Sequence, residues 1–327
     1  MNVKSRVRLG AVVGAAVLSV GAMAGSAVAD PAAGDYRVLA GVGSDTTQDV
    51  MNGIGNAVDG GATIASYNAT GSATIKTRTT GCDNISRPDG SSAGIDALRN
   101  DVDTLAGCLD FARSSRGPAD TTTTDLTWIP FAKDAVSIAV REDSALNNDL
   151  DLTTAQLHDI YTCDLTTLNG VTLTPLIPQA NSGTRTFFLG KIGVTETQLG
   201  PCVGTMQEHN GVELDSAGDI APYSIAQYIA QVTNVSADRH GVTVLGKIDG
   251  SEPFTTDGKL NASFVYSRDV YNVVPTSKVG DATIAATFVG ANSKVCTATD
   301  TLGQNVIEKF GFGQISTCGA TTLKGER

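Results

Sequence analysis

Asn181-Ser182-Gly183-Thr184-Arg185-Thr186-Phe187-Phe188 is the stretch from which the fold is read. It follows Leu176-Ile177-Pro178, the end of an apolar, strand-like run, and leads into Phe187, Phe188, Leu189 and Ile192 at helical spacing. A Ser-Gly-Thr turn between a strand and a helix sets two hydroxyls and several unpaired backbone N–H groups at a helix N-terminus. Such a place holds an oxyanion favourably. Gly183 lets the backbone come close to a ligand. Serine and threonine also cap helices that bind nothing, so the meaning of this turn depends on what surrounds it.

Working outward, three more turns share its chemistry: Gly43-Ser44-Asp45-Thr46-Thr47, Gly90-Ser91-Ser92-Ala93-Gly94 and Ser114-Ser115-Arg116-Gly117-Pro118. Each alone reads as a capped helix or a solvated turn. Together, spread over the chain, they point to one shared site rich in neutral donors.

The elements between them alternate. Strands are expected at Tyr36 to Gly41, Thr63 to Tyr67 and Leu109 to Ala112, and helices at Gln48 to Val58 and Ile95 to Ala106. Thr153-Thr154-Ala155-Gln156 has a capping-box pattern ahead of a helix to Tyr161, and further helices are expected at Ser224 to Val232 and Asn305 to Phe310. Two apolar runs, Trp128 to Val140 and Phe264 to Val274, read as crossings between two lobes. The expected lobes are 35–131 with 264–327, and 132–263. Alternating strands and helices predict an α/β protein with mainly parallel sheets, its ligands beyond the carboxyl ends of the strands.

Residues 1–29 read as a signal peptide: Lys4, Arg6 and Arg8 precede an apolar, small-residue-rich run from Leu9 to Ala24, and Ala27-Val28-Ala29 fits a cleavage site before Asp30. No cysteine stands near that cut, so no lipid anchor is expected. The segment removes 3 of 23 basic residues and none of the 34 acidic ones, leaving 20 against 34 and a net charge of −14. So acidic a chain is unsuited to nucleic acid or anionic membranes. An anion site in it must work through local hydrogen bonds. The six cysteines, an even number in an exported chain, read as disulfides. Of the possible pairings, neighbours are favoured, Cys82 with Cys108, Cys163 with Cys202 and Cys296 with Cys318, since each staples a local insertion. No two cysteines have zinc-finger spacing, so neither metal nor cofactor is expected.

In the order of these motifs the chain resembles the phosphate-binding receptors of phosphate ABC transporters, of the type II periplasmic-binding-protein family. The resemblance lies in Gly41 to Thr46, Gly90 to Gly94, Phe111-Ala112-Arg113-Ser114-Ser115-Arg116-Gly117-Pro118, Ser182-Gly183-Thr184, the crossing from Ile129 to Val140 and the return Tyr271-Asn272-Val273-Val274-Pro275. It implies a two-lobed, monomeric fold with phosphate or a similar oxyanion in the cleft, and an ABC permease as partner. Thr46, Ser91, Ser182, Gly183 and Thr184 would hold the ligand, with Ser44, Ser92 and Ser115 in the same turns. Two positions depart from the family pattern. The third turn usually carries a carboxylate, Ser-Asp-x-Pro, where this chain has Ser115 and Arg116. The arginine usually placed before Ser-Gly-Thr is absent, with Pro178 and Gln179 there instead, so Arg116, Arg185 or Arg113 is expected to supply the guanidinium. Sulfate, which has no proton to donate, should then be rejected less well.

Two other classes compete. Gly90-Ser91-Ser92-Ala93-Gly94 matches a Gly-x-Ser-x-Gly nucleophile elbow, but polar Asn84 to Asp89 precedes it where a buried strand is required. His158, His209 and His240 read as surface residues, which leaves no evident base. A secreted phosphatase-like enzyme on the same scaffold, or a non-catalytic surface or adhesion protein, remain as alternatives.

Overall fold

The computed structural model describes residues 30–326; the expected signal peptide lies outside the described residues. Its centre is a nine-stranded sheet. The strands are β1 (Leu39–Gly43), β2 (Ile64–Ser66), β3 (Phe111–Ser114), β4 (Leu126–Arg141), β5 (Thr174–Pro178), β6 (Gly204–Met206), β7 (Asp219–Ser224), β8 (Thr243–Leu245) and β9 (Ser267–Pro275). They lie in the order β6-β5-β7-β4-β9-β3-β1-β2, with β8 beside β4.

One strand organises this sheet. β4 is 16 residues long and buried on both faces along nearly its whole length. Its first part, Leu126 to Ala135, pairs with β9, and its last part, Val136 to Val140, pairs with β7. The partner changes between Ala135 and Val136, so β4 runs from one half of the sheet into the other and β9 returns. Near-continuous burial explains why both crossings read as apolar runs rather than as alternating strands.

In each half the strands followed by helices run parallel: β1 with β2 and β3, and β5 with β6 and β7. The crossings run antiparallel to their neighbours, because each passes directly between the halves instead of returning through a helix. The fold is two-lobed α/β of the type II periplasmic-binding kind, parallel where the turns emerge and antiparallel at the crossings.

The helices follow from local chemistry. α1 (Gln48–Ala57) buries Val50, Met51 and Ile54. α2 (Ser91–Thr104) begins inside the second hydroxyl turn rather than at Ile95, because Gly90 adopts φ 107 and frees the serines to form the first helical turn. α3 (Thr154–Thr162) has the expected capping box from Thr153 and Gln156. α4 (Gly183–Ile192) is capped by Ser182, whose hydroxyl accepts from Arg185 N–H, and ends at Gly193 with φ 68. α5 (Ile225–Val232) is capped the same way by Ser224. α6 (Ala282–Phe288), α7 (Lys294–Thr297) and α8 (Val306–Lys309) complete the chain.

The three disulfides join Cys82 to Cys108, Cys163 to Cys202 and Cys296 to Cys318, the neighbour pairing expected from the sequence.

Candidate functional site

The hydroxyl turns leave the carboxyl ends of β1, β3 and β5 and the start of α2, so the sheet aims them at one place between its halves. Ser44, Thr46, Ser91, Ser115, Ser182 and Thr184 are all 0% exposed there. Thr46 Oγ1 lies 3.2 Å from Thr184 Oγ1, across the two halves. Ser91 Oγ accepts from Ser115 N–H at 3.0 Å, and the two hydroxyls are 3.3 Å apart. Gly183 packs directly on that pair: a Cβ there would collide with both hydroxyls. Ser92 N–H donates to Asn181 O at 3.0 Å, which ties the second turn to the fourth.

One of the expected residues has another duty, and one has no partner. Ser182 Oγ is engaged as the cap of α4. Ser44 Oγ is buried with no hydrogen-bond partner.

The arginines expected to supply the counter-charge are placed differently. Arg185 turns away from the hydroxyls, its Nε 2.8 Å from Glu196 Oε1 and its Nη1 2.9 Å from Pro178 O. Arg113 is fully buried and donates to the carbonyls of Ser44 and Gly43 and to Ser66 Oγ, bracing the first turn from behind. Arg116 reaches the rim of the cluster, with Nη2 2.9 Å from Ser92 Oγ and its guanidinium over the Trp128 ring at 5.9 Å.

The guanidinium nearest the facing threonines is Arg268 on β9, which the sequence reading did not single out. Its Nη2 donates to Thr184 Oγ1 at 2.8 Å and to Asp134 Oδ2 at 2.8 Å, while its Nη1 is buried without a hydrogen-bond partner. The signal was present: Asp134 and Arg268 are opposite charges within the two apolar crossings, and they sit in register across β4 and β9.

Glu208 and His209 were also missed, and His209 is a correction. It is 0% exposed rather than a surface residue, because the loop after β6 folds into the interface. His209 Nδ1 accepts from Ser224 N–H at 3.2 Å, so Nε2 carries the proton. That Nε2 lies 2.9 Å from Glu208 Oε1 and 3.1 Å from Thr46 Oγ1. Burial pushes the Glu208 carboxyl up. His209 beside it and hydrogen bonds from His209, Thr184 and Thr46 outweigh that effect and bring it to about 2. Asp45, also in this interface, is raised by its burial, and Gln207 donates to it at 3.1 Å.

The surroundings therefore offer hydroxyls, helix N-termini and one arginine to a small anion, beside carboxylates that can accept protons. At Thr46, His209 Nε2 stands as a donor at 3.1 Å and Glu208 Oε1 as the acceptor at 2.6 Å.

No curated protein matches the chain in sequence. Among solved structures, it is similar to a putative phosphate ABC transporter substrate-binding protein with bound phosphate from Clostridium perfringens. The two are 17% identical with a TM-score of 0.60, over 85% of this chain and 99% of that one. An ABC-type phosphate transport receptor from Vibrio cholerae is 16% identical, with a TM-score of 0.56 over 85% of this chain and 100% of the receptor. A DING protein is 14% identical, with a TM-score of 0.51 over 88% of this chain and 96% of that one. The family model of the PBP superfamily domain matches residues 28–290. A match over that much of the chain, together with lobes joined by the crossing strands β4 and β9, makes this protein a member of the periplasmic-binding-protein superfamily with the type II fold.

Proposed function

We propose that this protein is an exported, non-catalytic solute receptor. It closes on phosphate or a similar tetrahedral oxyanion between lobes 35–131 with 264–327 and 132–263, and delivers it as a monomer to an ABC permease. The observation that carries this reading is the burial of Thr46, Ser91, Ser115, Gly183 and Thr184 at one point where the two halves of the sheet meet, with Arg268 beside them. Helix N-termini and hydroxyls can spread an anion's charge without a high local positive charge, which suits so acidic a chain. The three disulfides support an oxidising, extracytoplasmic location.

The test is calorimetry of the purified mature protein with phosphate, arsenate, sulfate and phosphonates, beside a phosphate-release assay. Stoichiometric retention without turnover supports a receptor, and turnover of phosphate esters would replace it with an enzyme. With Ser115 where the family carries a carboxylate, sulfate should compete measurably with phosphate.

A further inference from the structure

Both facing threonines donate to the same atom. Glu208 Oε1 accepts from Thr46 Oγ1 at 2.6 Å and from Thr184 Oγ1 at 2.6 Å, with His209 Nε2 at 2.9 Å. A hydroxyl has one proton, and an ionised carboxylate can only accept. Glu208 therefore takes the two protons that an external oxyanion would need from Thr46 and Thr184. The two acceptors exclude each other at these hydroxyls, and their like charges repel.

Glu208 is held through its N–H, which donates to Gln179 Oε1 at 2.9 Å, and through one carboxylate oxygen only. Its Oε2 is buried without a hydrogen-bond partner. Arg268 is paired with Asp134, and Arg239 is nearest Asp45 at 3.7 Å. His209, the remaining neighbour, is also engaged elsewhere, its Nδ1 taken by Ser224 N–H at 3.2 Å. The other carboxylates whose charge reaches Glu208 are Asp45 and Asp89, and both oppose its own. The residue rides on an irregular stretch between β6 and a short turn at Gly211–Glu213, next to His209 at φ 57, so a loop change can withdraw it without breaking a strand or helix.

We infer that Glu208 is a built-in competitor: a tethered carboxylate that takes the place of the external anion, holds Thr46 to Thr184 and so keeps the lobes together until a tetrahedral oxyanion displaces it. This rests on the oxyanion reading of the site. It assigns Glu208 a role in setting affinity, and it predicts a protein that is closed before the anion arrives.

The experiment compares wild type, Glu208→Ala and Glu208→Gln, each dialysed free of co-purified anion and checked for folding by circular dichroism. Phosphate affinity is measured by calorimetry. Lobe separation is measured by energy transfer between labels at Leu105 and Val212, which are 89% and 63% exposed. The expected result is phosphate binding at least about tenfold tighter in Glu208→Ala, with a smaller gain in Glu208→Gln, which keeps an acceptor but loses the charge. Without anion, wild type should show the short label distance and Glu208→Ala a longer one. Phosphate binding that is weaker or unchanged in both variants overturns the inference while leaving the oxyanion reading intact. If all three proteins are folded and none retains phosphate, arsenate or sulfate, the oxyanion reading itself falls, and the competitor role with it.

Discussion

Asp134 and Arg268 face each other across the two strands that join the halves of the molecule, with Arg268 Nη2 2.8 Å from Asp134 Oδ2 and their side chains 0% and 2% exposed. Asp134 also accepts from Ser224 Oγ at 2.7 Å, which anchors the start of α5. The pair therefore sets the geometry of the crossing and holds a guanidinium against Thr184. A buried pair is costly to break singly, because one charge is left without its partner.

That separates two roles of Arg268. Arg268→Ala should lower stability by about 3–5 kcal/mol, whereas Arg268→Met combined with Asp134→Leu should recover part of the loss, since Asp134 also accepts from Ser224 Oγ and Ala226 N–H. If Arg268 also contacts the anion, the double variant will be stable and still fail to retain phosphate. Chemical denaturation beside calorimetry checks both outcomes.

Gly183 sits where any side chain would meet the hydroxyls of Ser91 and Ser115. Its position is helical, so alanine costs nothing in the unfolded chain or in α4 itself. Gly183→Ala should act as a wedge between the halves and weaken phosphate binding by about 1.4 kcal/mol or more, a tenfold change, with little effect on melting temperature. An unaltered affinity would place the anion away from this contact.

Ser182 and Thr184 should respond differently, although they are two residues apart. Ser182 Oγ caps α4, so Ser182→Ala should cost about 1 kcal/mol of stability. Thr184 Oγ1 donates to Glu208 and accepts from Arg268, so Thr184→Val should weaken anion binding by about 1–3 kcal/mol and also lower stability by leaving those two buried groups unmatched. Paired denaturation and binding curves decide.

Asp49, in the first turn of α1, carries a pH signature. Burial pushes its carboxyl from 3.8 up to about 6. The folded state thus holds the proton more tightly than the unfolded state. Its contribution to stability is full below about pH 4 and is lost as pH rises through about 6. Asp49→Asn should raise stability at pH 8 by about 1–2 kcal/mol, after allowing for its partial exposure and the helix N-terminus it faces. At pH 4 it should change nothing. Denaturation midpoints at the two pH values check the sign.

Cys163 and Cys202 are 39 residues apart, and their bond closes a loop within the second half of the sheet. Replacing both with serine should cost about 2–4 kcal/mol through the freed unfolded chain. Phosphate binding to the protein that remains folded should persist, since the bond sits at the end of α3 against Ile160 O and Gly200.

Much of this molecule was determined locally. The strand-turn-helix units around Thr46, Ser91 and Ser182, the Thr153 capping box and the two apolar crossings depend on neighbouring residues and on burial along a single element. Those are properties that period and composition report. Neighbour pairing of the cysteines is local in the same sense. What the tertiary structure alone decided is which charges meet. Arg185 and Arg113 stand beside hydroxyl turns in sequence, yet Arg185 pairs with Glu196 and Arg113 braces a backbone from behind. Arg268 is 84 residues from Thr184 and reaches it because β9 returns beside β4. Glu208 and His209 look like solvated residues in a polar loop, and they are buried because that loop folds between the halves. A long charged side chain can satisfy itself in several directions, and the nearest partner in space, set by strand order, decides which one it takes.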